Sequence, residues 1–199
     1  MNILITGGGG DLAKYVAVKL RELGHVVDAP TRQELDVASI QRVNTFFTGK
    51  RYDAVINNAG TLYSSLVAES DPILWIRDIE ANLIGTYLVS REAVRANKDV
   101  HLVNVASTAA FNSYKDWTSY CAAKAGVVTL SRGMYKDGYS VTVMCPGAIE
   151  TKIRNGLLIQ NPNIMSVEEG AVPILKAVQE KQVDTLVFYR KNEHRIEAL

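Results

Sequence analysis

Thr6-Gly7-Gly8-Gly9-Gly10-Asp11-Leu12-Ala13 is the stretch from which the fold is read. It follows the short apolar run Asn2 to Thr6 and precedes Leu12, Val16 and Leu20, which recur at helical spacing through Leu23 and stop at Gly24. The pattern is strand, glycine turn, helix. A tight turn needing positive φ accounts for one or two glycines but not for four. Glycines at a strand-to-helix junction let the backbone approach a pyrophosphate, and the helix N-terminus offers it unpaired N–H groups. Gly7, Gly9, Gly10, Asp11 and Leu12 are therefore the candidate phosphate contacts.

Outward from this turn, strand and helix alternate. Val26 to Ala29 reads as a second strand, Ser39 to Phe47 as a helix after the turn-like Leu35-Asp36, and Ala54 to Asn57 as a buried strand. Asp71-Pro72 starts a long helix that runs to about Ala96, because Asp can cap free amides and proline lacks only an N–H that would be unpaired there. Val100 to Val105 alternates too weakly for a half-exposed strand and fits one buried on both faces. Ser119 to about Met134 is helical, and Val141 to Met144 is a strand ended by Pro146-Gly147. Ser166 to Glu180 is helical, and Thr185 to Tyr189 is the last strand. This alternation predicts an open parallel sheet with helices on both faces and right-handed crossovers. Ile149 to about Met165 is the longest irregular segment, placed where loops beyond strand ends meet ligands.

The 199 residues carry 22 basic and 21 acidic side chains, a formal net charge of +1, spread along the chain. No footprint for nucleic acid or an anionic membrane results, and the expected partner is a small molecule. Length and a hydrophobic content of 47% fit one domain. Cys121 and Cys145 lack metal-site or disulfide-framework spacing, and His25, His101 and His194 lie far apart, so no metal is expected. No apolar run approaches the ~18 to 20 residues needed to cross a bilayer, nothing marks secretion, and a cytoplasmic location is the expectation.

A dinucleotide's two forms are told apart just beyond the second strand, where an acid meets a ribose hydroxyl or a cation meets a 2′-phosphate. Here the chain reads Asp28-Ala29-Pro30-Thr31-Arg32. With Thr31 in the acid's place, Arg32 can bind the phosphate bidentately, which favours NADP(H). The alternative is that Arg32 is a solvated cation and Asp28 selects NAD(H).

Ser107, Tyr120 and Lys124 supply the chemistry. Tyr and Lys four apart share one helix face, and Ser107 ends a buried strand facing that helix. Hydride transfer to a carbonyl builds an alkoxide that a nearby acid must protonate, and a phenol can be that acid. Its ordinary pKa is about 10, and an ammonium on the next turn is expected to lower it. Ser107 can donate a hydrogen bond where negative charge develops.

These residues, with Asp36-Val37, Asn57-Asn58-Ala59-Gly60, Asn82 in Asn-Leu-Ile-Gly, and Pro146-Gly147 followed by Thr151, resemble the short-chain dehydrogenase/reductase family over nearly the full length. The resemblance implies a catalytic tetrad of Asn82, Ser107, Tyr120 and Lys124 in a short member of the family. It also implies that Lys124 holds the nicotinamide ribose, that Asn82 keeps a water at a helix kink, and that Asn58, Ala59 and Gly60 shape the cofactor pocket. Pro146, Gly147, Thr151 and the Ile149 backbone would flank the nicotinamide. The implied fold is a single doubly wound Rossmann-type α/β domain over residues 1–199, with about seven parallel strands in the order 3-2-1-4-5-6-7. The implied activity is NADP(H)-dependent interconversion of a carbonyl and a secondary alcohol. Pairing through the helices at 72 to 96 and 119 to 134 would give a homodimer or homotetramer, and Ile76, Ile79, Leu83, Val127 and Leu130 fit either core or interface.

Each residue also has a plainer reading. Asn82 could satisfy backbone in a buried helix, Ser107 could cap a strand end, and Lys124 could reach a surface. Trp75 reads as packing, Trp117 as packing or as cleft wall, and Cys121 as a small apolar residue. Asp11 and Ala13 depart from the family's glycines. Either Asp11 points away or caps the helix, or the register is TGxxGxxA with Gly7, Gly10 and Ala13 in contact. The short stretch from Thr151 to Ser166 predicts an open pocket, and the tail Arg190 to Leu199 offers no closing extension. Competing functions are an epimerase or dehydratase of nucleotide sugars, and a non-catalytic NADP(H) sensor.

Overall fold

The computed structural model describes residues 1–155, 157 and 161–199. In chain order the elements are β1 (Asn2–Ile5), α1 (Asp11–Glu22), β2 (Val26–Asp28), α2 (Ile40–Phe47), β3 (Ala54–Asn57), α3 (Pro72–Ile79), α4 (Gly85–Ala96) and β4 (His101–Val105). They continue with α5 (Thr118–Lys136), β5 (Val141–Pro146), α6 (Val167–Gln179), β6 (Thr185–Arg190) and β7 (Glu193–Ala198). The strands form one seven-stranded sheet in the order β2-β1-β3-β4-β5-β6-β7. All neighbours pair parallel except β6 and β7, which are antiparallel.

Successive residues of a strand face opposite sides, so two separate cores form. Ile3, Ile5, Ile56, Val103 and Met144 pack with Val16 and Leu20 of α1 and Ile174 of α6. Leu4, Val55, Leu102 and Val143 pack instead with Val43 and Phe47 of α2, Val89 of α4 and Val127 of α5. Cover on both faces is why β4 lacks the alternation of a half-exposed strand, and all five of its residues, the polar His101 and Asn104 included, are buried. The helix starts follow the capping signals: Asp71 accepts from the Ile73 amide, and Ser166 and Glu169 form a reciprocal capping box.

The strand order corrects the expected 3-2-1-4-5-6-7. After β2 the chain folds into turns, with the Leu35 amide bonded to the Thr31 carbonyl, and enters α2 without making a strand outside β2. The seventh strand comes from the tail, where Asn192 adopts φ 66° and turns the chain back along β6. Glu193–Ala198 is exposed throughout. It therefore carries none of the apolar alternation by which a half-buried strand is recognised.

The long helix beginning at Pro72 is likewise not uniform. Glu80–Ile84 is a π-helical segment between α3 and α4, and Asn82 sits at its centre. Insertions of this kind in helices recur at functional sites.

The glycine turn is held close to β2. A Cβ on Gly8 would lie 2.0 Å from the Ala29 carbonyl oxygen, while one on Gly9 would meet no heavy atom of the described residues within 4 Å. Gly8→Ala is thus expected to cost ~1–3 kcal/mol or more and Gly9→Ala less than about 0.5 kcal/mol. Urea unfolding followed by circular dichroism measures both, and equal responses would contradict the close approach.

Candidate active site

The C-terminal ends of the parallel strands open into a cleft of about 980 Å³. At one end lies the glycine turn. Gly7 has φ +73° and a Cβ there would sit 2.9 Å from the Ala59 Cα, so this position makes the tight turn. Gly9 and Gly10 line the cleft, and Gly10 is the N-cap of α1. Ala13 is fully buried in the core beneath α1. Gly7 and Gly10 of the TGxxGxxA register thus line the cleft, whereas Ala13, expected as the third contact, packs between helix and sheet and does not line it.

Asp11 and Leu12 also line the cleft. The Asp11 carboxylate points across to the loop after β5, accepting from the Lys152 amide at 2.9 Å and lying 3.7 Å from Lys152 Nζ. Thr6 ties the turn to the exit of β3, its Oγ1 accepting from the Asn58 and Ala59 amides at 3.1 and 3.0 Å. Asn58, Ala59 and Gly60 line the cleft beside it.

Beyond β2, Arg32 lines the cleft with Asp36 and Val37. Its Nη2 lies 3.9 Å from Asp36 Oδ2, and its side chain is 58% exposed. Thr31 is a correction: its amide and hydroxyl both donate to Glu34 Oε2 at 2.8 Å, so it turns to a local cap and does not line the cleft. Asp28 also stays off the cleft wall, because its carboxylate accepts from the Tyr52 hydroxyl at 2.5 Å and meets Lys50 Nζ at 3.5 Å.

At the other end the lining includes Asn82, Ser107, Tyr120 and Lys124, with Pro146, Gly147, Ile149 and Thr151. Ser107 follows β4 and accepts from the Ala109 amide at 3.1 Å. Lys124 is 4% exposed; Nζ donates to the Val105 carbonyl at 2.8 Å and stands 5.5 Å from the Tyr120 ring centre. Trp117 packs edge-on against Tyr120 with ring centres 6.0 Å apart and lines the cleft, so both of its readings hold. Trp75 donates from Nε1 to Thr118 Oγ1 at 2.9 Å, joining α3 to α5.

Asn82 is fully buried. Its Nδ2 donates to the Thr61 carbonyl at 2.9 Å, the Asp78 carbonyl at 2.8 Å and Asp78 Oδ1 at 3.0 Å. Its Oδ1 has no hydrogen-bond partner among the described residues. A Cβ on Gly60 would fall 2.5 Å from that oxygen and 3.7 Å from Lys124 Nζ, so Gly60 keeps open the space that these two groups share.

Burial dominates the electrostatics. It pushes the Tyr120 phenol up to about 12; Ser107 opposes this, Asp78 and Cys121 add to it, and Arg154 opposes it. The expectation of a phenol lowered by the neighbouring ammonium is therefore corrected, because desolvation of phenolate is the larger effect. Burial also pushes Lys124 down to about 8, against the Asp78 charge that raises it. Cys145 is pushed up to about 12 by its own burial, which leaves its thiol protonated and unreactive near neutrality.

The sequence model of the short chain dehydrogenases matches residues 23–161. The chain belongs to this family. Among its relatives, the Streptomyces coelicolor protein named "Putative ketoacyl reductase" is 27% identical across 95% of this chain and 80% of its own. The structure superimposes with a TM-score of 0.80 on the 3-ketoacyl-(acyl-carrier-protein) reductase of Brucella melitensis complexed with NADH, at 19% identity over 88% of this chain and 89% of that one. The gluconate 5-dehydrogenase of Burkholderia cenocepacia J2315, in complex with NADP and tartrate, matches with the same TM-score at 20% identity over 94% and 92%. This short-chain dehydrogenase is thus an oxidoreductase whose structural relatives include both an NADH and an NADP complex. Among the described residues no helix is long and apolar enough to cross a membrane, and no group of three or more His, Cys, Asp or Glu stands ready for a metal.

Residue patterns left two features of this short-chain dehydrogenase unread. Asp78 is a buried acid one turn before Asn82, and its signal was a charge on an otherwise apolar helix stripe. Arg154 lines the cleft and bears on Tyr120, but it lies in an irregular segment without periodicity.

Lys124 carries a stability cost whose sign follows from its titration. Its folded value, about 8, lies below the unfolded 10.5, so the unfolded chain binds more protons and stability rises with pH between these values. Below about 8 the whole penalty is present. Lys124→Met should therefore raise the melting temperature at pH 7 by a few degrees, from a penalty of up to about 3 kcal/mol less the lost bond to Val105. The gain should vanish near pH 10.5, and scanning calorimetry across that range tests it.

Proposed function

We propose that this chain is an NADP(H)-dependent oxidoreductase that interconverts a carbonyl and a secondary alcohol on a small molecule, with residues 1–199 acting as one cofactor-binding domain. The observation carrying this reading is that Tyr120 and Lys124 lie on the wall of the same cleft that begins at the glycine turn. The residues fit a dinucleotide. Gly9 and Gly10 leave backbone open to a pyrophosphate at the start of α1, Arg32 stands at the adenosine end, and the cleft extends about 980 Å³ to the phenol.

When bound, the nicotinamide supplies or accepts the hydride. Tyr120 gives the proton to the developing alkoxide, a direction favoured by a phenol held protonated up to about 12. Ser107 donates to the substrate oxygen where charge accumulates. Lys124 holds the ribose and stabilises phenolate once the proton has left, and the free Asn82 Oδ1 beside it can accept from a water that returns the proton. Pro146, Gly147, Ile149 and Thr151 line the cleft near Tyr120 and would hold the nicotinamide.

Selection of NADP(H) rests on Arg32, since Asp28 is engaged by Tyr52 and Lys50 away from the cleft. Asp36 is the one acid near that guanidinium among the ion pairs of the described residues, at 3.9 Å, and a phosphate can displace so loose a partner. Exposed Leu74, Ile84 and Tyr87 along the α3 to α4 run support a homodimer or homotetramer built on these helices.

Tyr120→Phe is expected to lower kcat at least 10³-fold on a carbonyl panel followed by NADPH absorbance, with NADPH affinity within about twofold by fluorescence titration. Undiminished turnover would sink the assignment. Arg32→Ala should raise KM for NADPH about tenfold or more while leaving KM for NADH little changed, and equal effects on the two would remove the case for NADP(H).

A further inference from the structure

Among the described residues Asp78 is the one buried acid, and the mechanism above does not use it. Its side chain is 2% exposed, yet no cation stands within ion-pair distance of it among the described residues. A buried acid of this kind requires hydrogen bonds, and three groups provide them. Oδ1 accepts from Thr61 Oγ1 at 2.6 Å and Asn82 Nδ2 at 3.0 Å, and Oδ2 accepts from Ser119 Oγ at 2.7 Å. Thr61 follows the Asn57 to Gly60 turn, Asn82 lies in the π-helical segment, and Ser119 precedes Tyr120 on α5. One side chain thus ties together the turn after β3, the segment that carries Asn82 and the start of the helix that carries Tyr120 and Lys124.

The bonds also settle which way the Asn82 amide faces. With the Asp78 carboxylate, the Asp78 carbonyl and the Thr61 carbonyl all on one side, only the NH2 group can point there. The amide oxygen is left on the side of Gly60 and Lys124 Nζ. The two backbone carbonyls favour this orientation with any residue at 78, and the Asp78 carboxylate reinforces it as the one charged acceptor of the three.

We propose that Asp78 is a positioning residue, which fixes the Asn82 amide with its oxygen toward Lys124 and whose buried negative charge holds the Lys124 ammonium. The proposal rests on the reading of Tyr120 and Lys124 as the proton-handling pair. Lys124 is faced by Asp78 from α3, Cys145 and the Val105 carbonyl from the sheet, and Tyr120 on its own helix. Tyr120 is faced by Ser107, Asp78, Cys121 and Arg154. Of the charges on Lys124, Asp78 is the largest that opposes desolvation.

Asp78→Asn, with Asp78→Ser as a second neutral variant that leaves room for water at Thr61 and Ser119, separates this role from simple packing. In the protein without added cofactor, the [13Cε]lysine resonance of Lys124 should titrate about one pH unit or more lower in both variants, the size expected for loss of one nearby opposite charge. In turnover, the alkaline limb of kcat/KM should move down by the same amount. At pH 8 kcat should fall about fivefold with KM for NADPH within about twofold, and lowering the pH toward 6 should recover most of the loss. Ser119→Ala, which removes one donor but keeps the carboxylate charge, should leave the Lys124 titration within about 0.3 unit of wild type. An unmoved Lys124 resonance in folded Asp78→Asn or Asp78→Ser would overturn the proposal. A shifted resonance in a protein inert toward every carbonyl tested would overturn the oxidoreductase mechanism and leave the Asp78 coupling standing.

Discussion

Parallel strands cannot be joined by a hairpin, so each pairing requires a crossover that returns the chain to the same end of the sheet. In this protein the crossover from β1 leads to β2 on one side, whereas β3 lies on the other. The connections leaving β1 and β3 therefore part to opposite faces, and a crevice opens at the point where the order reverses. Thr6 stands at that point. By accepting from the Asn58 and Ala59 amides, its hydroxyl holds the two diverging segments at a fixed distance. The ends of β4 and β5 reach the same rim, which is why Ser107 and Pro146 face a turn a hundred residues earlier in the chain.

The chemistry at that rim is set by desolvation. Burial raises Tyr120 and lowers Lys124, so it favours the uncharged form of both groups at the same time. A phenol and an amine left to this effect alone would become inert near neutrality. Local groups work against it. The Val105 carbonyl accepts from the ammonium, Ser107 favours phenolate, and the carboxylate of Asp78 favours the charged lysine while disfavouring the charged tyrosine. The same low dielectric that makes these charges costly also makes each neighbour strong enough to matter. The site thus keeps a protonated acid beside a cation, as the alkoxide protonation proposed above would require.

How far this was legible from residues alone depended on periodicity and on motif. The glycine turn, the apolar runs and the capping signals at Asp71 and Ser166 marked most elements, because burial on both faces leaves a clear pattern. Gly7, Gly10, Asn58 to Gly60, Asn82, Ser107, Tyr120 and Lys124 carried a spacing that brings them to one cleft. What escaped lacked such a pattern. β7 is charged and exposed on both faces, the turns after β2 leave no strand outside it although the family's strand order implied one, and Thr31 is captured by Glu34 three residues later. The tyrosine's titration was misjudged for a different reason. Sequence shows that a lysine is near but not how little water is.

Asp11 shows how a local conflict is resolved only in three dimensions. A carboxylate in the first turn of α1 suits the positive end of the helix dipole, yet the same place is where a pyrophosphate would lie. The chain separates the two by sending the carboxylate sideways to the Lys152 amide. The ion pair to Lys152 Nζ contributes little, since that side chain is 76% exposed. The bond from backbone N–H to a charged acceptor is the stronger of the two contacts, and it is also the more directional. The loop after β5 is therefore held at both ends, at Lys152 by α1 and at Ile149 by its bridge to Met165. The wall beside Tyr120 consequently takes its position from the helix start at the glycine turn, which ties the two ends of the cleft together through a single side chain.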